Sequence, residues 1–225
     1  MKIIAHIPAR EGSKRLKTKN LLPMNGLPLM AHMIKAGLGS RHLNELYVNT
    51  ESDAIAEVAE RYGAKVFRRD PALAQDEITQ DTFNYDFIKK TNPDVLVLLN
   101  PVCPLIEAGD IDEALEIFLR ERPDCLTTTT DVQIYGIHQE KALNFNPNGI
   151  LPRTQDIEPI RFLNFGIGIW DAGAFVKKFE RDGHACLFGK VRYHSLPKEK
   201  GIKISDETDF RLAEILMRDV VARIS

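Results

Sequence analysis

The chain has 225 residues, 44% hydrophobic and 28% charged, with 30 Lys and Arg against 32 Asp and Glu for a net charge of -2. That apolar content fills one sizeable core, and the near-cancelling charges exclude intrinsic disorder and a surface-wide nucleic-acid binder. No apolar run nears the roughly 18 residues that cross a bilayer. The opening MKIIAHIPAR lacks the apolar stretch of a secretory signal. Cys103, Cys125 and Cys186 make neither a CxxC pair nor a disulfide framework. A cytoplasmic protein, without membrane or nucleic-acid partners, is the expectation.

Taken in chain order, the pattern alternates strands and helices. Lys2 to Ile7 reads as a buried strand closed by Pro8, followed by a basic loop to Asn20. Helical spacing from Pro28 to Leu38 precedes a strand at Glu45 to Thr50. Ser52 or Asp53 caps the next helix, whose stripe is Ala54, Ile55, Val58, Ala59 and Tyr62, and Gly63 ends it in a left-handed turn. A strand at Ala64 to Arg68, a helix from Thr79 to about Lys90 and an apolar strand at Asp94 to Leu99 follow. Asp110 caps a helix to Arg122, and Cys125 to Thr130 is a further strand.

From about Asp131 to Asn164 the periodicity lapses, and a structureless loop of that length is unusual inside a compact domain. An extended arm, residues 132–163, that packs on a partner subunit is the expectation. Leu163 to Trp170 is strand-like, Asp171 caps a short helix to Phe179, Val191 to Leu196 is a late strand, and Glu207 to Ile224 closes the chain as an amphipathic helix. The order implies one α/β domain with a doubly wound, mostly parallel sheet, whose ligands sit at the strands' carboxyl ends.

The strongest signal is PAREGSKRLKTKN, residues 8–20, at the end of the first strand. It sets five basic residues, Arg10, Lys14, Arg15, Lys17 and Lys19, against one acid, Glu11. Gly12 and Ser13 let backbone amides turn toward an anion, so the loop suits a polyphosphate. It is not a P-loop, because Ile7 stands where GxxxxGK[ST] needs glycine, and no GxGxxG or GxSxG string is present. The six histidines show no zinc spacing.

This segment resembles the IPARxGSKRxxxKN opening of the cytidylyltransferases that activate acidic sugars, the acylneuraminate cytidylyltransferases (CMP-sialic acid synthetases) among them. RDPALAQD at 69–76 is similar to their RPxxLAxD, LLNPVCPLI at 98–106 to LLQPTSPLR, PRTQ at 152–155 to PRQQ, and KISDETDFRLAE at 203–214 to DIDTEEDLxxAE. The resemblance implies a Rossmann-like nucleotidyltransferase fold with an inserted dimerisation arm. It implies CMP transfer from CTP to the anomeric hydroxyl of a 2-keto sugar acid, with Mg²⁺ or Mn²⁺ as cofactor and pyrophosphate as product. Sialic acid, a related nonulosonic acid or 3-deoxy-octulosonic acid would be the acceptor, and a homodimer the assembly.

By the same resemblance Ala9, Arg10, Gly12, Ser13, Lys19, Asn20, Arg69 and Asp76 would bind the nucleotide. Arg10, Lys19 and Asp206 would be catalytic. Asn100, Arg153, Gln155, Arg161 and Asn164 would face the sugar, and Asp206 and Asp209 the metal. Departures stand out at five positions. Val102, Cys103 and Ile106 replace two hydroxyls and a cation, with Cys103 filling space in a pocket wall. Lys203 and Ser205 stand where two metal-binding aspartates belong, so Lys203 could replace a metal charge or metal dependence could differ. A nucleotide-binding protein that has lost the transfer chemistry is the competing expectation.

Overall fold

A computed structural model describes residues 1–12 and 16–224, the last six of these by backbone alone. β1 (Ile3–Pro8) is buried along almost its whole length. A 3₁₀ turn at Lys19–Leu21 and a hairpin of β2 (Pro23–Met24) and β3 (Leu27–Pro28) lead into α1 (Leu29–Gly39). β4 (Glu45–Thr50), α2 (Asp53–Arg61), β5 (Lys65–Arg68) and α3 (Gln80–Thr91) follow. β6 (Val95–Leu99), α4 (Ala108–Glu121) and β7 (Cys125–Val132) continue the alternation. An excursion bearing the hairpin of β8 (Ile137–His138) and β9 (Lys141–Ala142) returns through β10 (Ile160–Asp171). α5 (Ala172–Asp182), β11 (Val191–Leu196) and α6 (Glu207–Ile224) complete the chain.

The seven-stranded sheet runs β11-β7-β10-β6-β1-β4-β5. All pairings are parallel except those of β10, which is antiparallel to both β6 and β7. Alternation along β1 explains the layers. Ile3, Ala5 and Ile7 face a core with Met33 and Ile34 of α1, Ile55 of α2 and Ile111 and Leu115 of α4. Ile4 faces the other core, with Phe87 of α3, Phe175 of α5 and Trp170. Both faces are covered, which is why β6 reads as an unbroken apolar run. The chain leaves β1 toward β4 and β5, then crosses back to β6 on the other side. The topological switch therefore lies between the carboxyl ends of β1 and β6, where such sheets bind ligands.

Local chemistry sets the boundaries. The Ser52 hydroxyl accepts from the Ile55 amide and caps α2, and Gly63 follows it at φ 87°. Asp110 is not the cap of α4. It sits at the third helical position, where its carboxylate accepts the Glu107 amide at 2.8 Å, so the helix starts two residues earlier. The arm is also shorter at its base than 132–163. β7 and β10 pair as far as Val132 opposite Ile160, because alternating Thr128 and Thr130 prolong the strand. Its tip leaves Ile137 (66%), Leu143 (58%) and Ile150 (97%) exposed. Trp170 is fully buried, with its indole N–H on the Cys186 carbonyl at 2.9 Å.

Candidate active site

The switch point holds a cleft of two adjoining cavities that share Arg10 and Gly12. One, of about 500 Å³, is lined by Pro8, Arg10, Lys19 and Asn20 from the β1 side, by Asn100 and Val102 from the β6 side, and by Lys203. The other, of about 390 Å³, lies beside Glu51, Ala74 and Asp76. A further cavity, of about 770 Å³, opens at the opposite, amino-terminal end of β6 around Phe118 and Asp124. Ligands in doubly wound sheets do not sit at that end.

Arg10 is the hinge of the cleft. Its guanidinium donates to the Ala74 carbonyl at 3.0 Å and to Asp76 at 2.6 Å. The basic loop is thereby tied to the RDPALAQD segment, and Arg10 and Asp76, both expected at the nucleotide, are direct partners. Asn20 is buried and donates to the Arg10 carbonyl at 3.1 Å, while its Oδ1 has no partner among the described residues. A buried acceptor without a donor costs free energy until a ligand supplies one. Lys19 donates to the Ile204 carbonyl at 2.9 Å. Ala9 is buried, with its amide on the Asn49 carbonyl. The Gly12 position has open space around it. Ser13 lies outside the described residues, as do Lys14 and Arg15.

Arg69 does not line the cleft. The residue is 5% exposed, and its guanidinium donates to the Asn49 side chain at 2.8 Å and the Asn49 carbonyl at 2.6 Å. It also stacks over Phe83 at 4.8 Å. Asn49 in turn meets the His6 ring at 3.1 Å, and His6 lies stacked on Phe87. This buried chain clamps the ends of β1, β4 and β5 beneath the cleft. Burial pulls the Arg69 pKa down to about 10 and that of His6 to about 3, so His6 is neutral. The sequence offered no pattern for His6 or Asn49 beyond their places on strands.

The residues expected at the sugar divide. Asn100 lines the cavity, oriented by its amide group on the Phe165 carbonyl at 3.3 Å and by its backbone N–H on the Gly166 carbonyl at 2.9 Å. Asn164 is 6% exposed and lines a smaller cavity that also touches Lys203. Its Oδ1 accepts from Thr128 at 2.6 Å and from the Gly166 amide at 3.0 Å, and its amide group donates to Thr130 at 2.9 Å. It pins the bulge of β10, where Phe165 takes φ 50°. Arg161 lies away from the cleft, in a two-pronged pair with Asp131 at 2.8 and 2.9 Å that holds the Asp131 carboxyl below its usual range. Arg153 pairs with Asp156 at 2.7 Å out on the arm, and the Gln155 carbonyl accepts from Gln133.

Asp206 and Asp209 form the N-terminal cap of α6. Asp206 Oδ1 accepts the Asp209 amide at 3.0 Å, and Asp209 Oδ2 accepts the Ser205 and Asp206 amides at 2.8 and 3.3 Å. Among the described residues no three His, Cys, Asp or Glu side chains converge as a metal set. The side chain of this segment that reaches the cleft is Lys203. Cys103 is fully buried beneath the cleft floor, and burial pushes its thiol up to about 12, so it fills space and is not a nucleophile.

The cytidylyltransferase family model matches residues 4–157. The chain belongs to the cytidylyltransferase family. It is 28% identical to an N-acylneuraminate cytidylyltransferase of Escherichia coli over 94% of this chain and 51% of that protein. It is 26% identical to post-translational flagellin modification protein B of Campylobacter coli over 96% and 95% of the two chains. A shared stretch of 127 residues, 52% of this chain and 53% of the relative, is 39% identical to a CMP-N,N'-diacetyllegionaminic acid synthase of Legionella pneumophila. The chain spans about half the length of the first curated relatives it matches. Its fold superposes on a CMP:2-keto-3-deoxy-manno-octonic acid synthetase complexed with CTP at a TM-score of 0.72, with 16% identity and 97% and 99% of the chains covered. Among the described residues no helix is long and apolar enough to cross a membrane.

Proposed function

We propose that this cytidylyltransferase-family chain transfers CMP from CTP to the anomeric hydroxyl of a 2-keto sugar acid. The acceptor oxygen forms a bond to the α-phosphorus, and the bond from that phosphorus to the bridging oxygen of the β-phosphate breaks. Pyrophosphate leaves with the electron pair, and the hydroxyl proton passes to solvent. The observation that carries this reading is the meeting of Arg10, Lys19 and Asn20 with Asn100 in one cleft at the switch point. Fixed cations there stabilise the charge that grows on the leaving pyrophosphate without having to reorganise. A 2-keto sugar acid is favoured because the named relatives act on N-acylneuraminate and N,N'-diacetyllegionaminic acid.

The exposed apolar tip of the arm supports a homodimer, in which the arm packs on a second copy and brings Arg153 and Arg161 toward the neighbouring acceptor site. A second reading, nucleotide binding without transfer, is favoured by Lys203 and Ser205 standing where the family's pattern has two aspartates. Pyrophosphate release from CTP, with and without Mg²⁺ or Mn²⁺, across a panel of 2-keto sugar acids separates them. Release that requires one acid supports transfer. CTP binding with no release from any acid supports the second reading.

A further inference from the structure

Residues 197–206 form a strap between β11 and α6 that is fastened at several points. Lys200 grips Glu107 and Asp110 at 2.9 and 2.8 Å at the start of α4. The Ile204 amide donates to the Val102 carbonyl at 2.9 Å, the Ile204 carbonyl accepts Lys19, and the Ile204 side chain is fully buried. Gly201 lies so close to Thr130 that a Cβ there would stand 1.8 Å from the hydroxyl. Between these fastenings Lys203 is exposed, with no hydrogen-bond or ion-pair partner among the described residues. It lines the cavity of Arg10, Lys19 and Asn100. It also lines a second cavity of about 280 Å³ with Thr130, Phe162, Leu163 and Lys198. Lys203 is therefore at the junction of the two.

We infer that Lys203 is a catalytic cation of the transfer step, placed where the nucleotide cavity opens into the cavity that takes the acceptor acid. This rests on the transfer reading above. The group under attack must stand between the triphosphate and the acceptor, and Lys203 borders both spaces. An ammonium whose backbone is anchored on the strap supplies positive charge to the α-phosphate oxygens directly and needs no carboxylates around it. Lys198, which lines the same cavity, adds a second cation suited to the acceptor carboxylate. The bonds made and broken are those already given. Lys203 keeps its proton throughout and acts as a charge.

The test pairs calorimetric CTP binding in EDTA with pyrophosphate release, for the wild type, Lys203→Gln and Lys203→Arg. CTP is expected to bind the wild type in EDTA, and Lys203→Gln to weaken that binding by about 10- to 100-fold, the range of a lost charge-assisted hydrogen bond. Lys203→Arg should restore most of the binding. Lys203→Gln should also lower kcat beyond its effect on CTP affinity. Equal CTP affinity and kcat in the wild type and Lys203→Gln would overturn the inference. Absence of release in every protein, with the EDTA binding loss intact, would remove the transfer reading and keep Lys203 as a nucleotide contact only.

Discussion

The half of the sheet around β1 and the arm between β7 and β10 use their arginines in opposite ways. Arg10 is fastened to Asp76 and still faces a cavity. Arg161 and Arg153 are fastened to Asp131 and Asp156 and line neither cavity of the cleft. A guanidinium has five N–H donors, so pairing does not by itself remove it from a site. What differs is the surrounding fold. Arg10 is at a strand end in the sheet's interior, whereas the arm lacks a core of its own and exposes apolar side chains instead. One region sets its arginine in a cleft built from the chain's own residues, and the other leaves its arginines paired on an exposed excursion.

The largest expected effect is therefore on the β1 side. Arg10→Ala should lower kcat/KM for CTP by about 10²- to 10³-fold, as removal of one preorganised donor does. Arg161→Ala should chiefly raise KM for the acceptor, and should do so only in a dimer. Steady-state kinetics with each substrate varied separates the two. If the two variants were equal in both parameters, the contrast between the regions would fail.

Next comes the clamp under the cleft. Arg69→Met strips two hydrogen bonds to Asn49 from a buried charged group and should cost about 2–3 kcal/mol. Urea unfolding measures it. A loss under 0.5 kcal/mol, roughly the effect of an ordinary surface change, would place Arg69 outside the clamp.

His6 gives the clamp a pH dependence. Its folded pKa is lowered to about 3 from 6.5, so the unfolded chain takes up the proton first as pH falls. The stability is fully present above 6.5 and is lost toward 3, about 2 kcal/mol of it by pH 5. Unfolding at pH 7 and pH 5 should show that loss in the wild type and a smaller one in His6→Gln. Identical slopes would contradict the buried neutral ring.

The smallest effect is at Asp206. As a helix cap, Asp206→Ala should cost about 1 kcal/mol and leave the metal dependence of pyrophosphate release unchanged. A changed metal requirement would show that Asp206 reaches a metal after all.

These effects follow how far the sequence could be read. The strands and helices of the first half were legible because a parallel sheet covered on both faces forces continuous apolar strands and amphipathic helices of fixed period. Arg10, Lys19 and Asn20 were legible because they follow one strand end in a dense cationic string. Arg69 was placed among ligand contacts, yet it lines neither cavity of the cleft and supports Asn49. Asn164, by contrast, both braces the β10 bulge and lines the small cavity beside Lys203. A polar residue near a strand end has the same sequence signature whether it faces a ligand or holds the wall behind it. The junction role of Lys203 depends on the Gly201 approach and the Ile204 anchor, which join segments far apart in the chain.

The triphosphate of CTP is expected at the carboxyl ends of β1 and β6. A crystal structure of the CTP complex tests it most directly. Phosphate density between Arg10, Lys19 and Lys203 is the result this account requires. Density in the 770 Å³ cavity beside Phe118 and Asp124, with the β1 cleft empty, would contradict it.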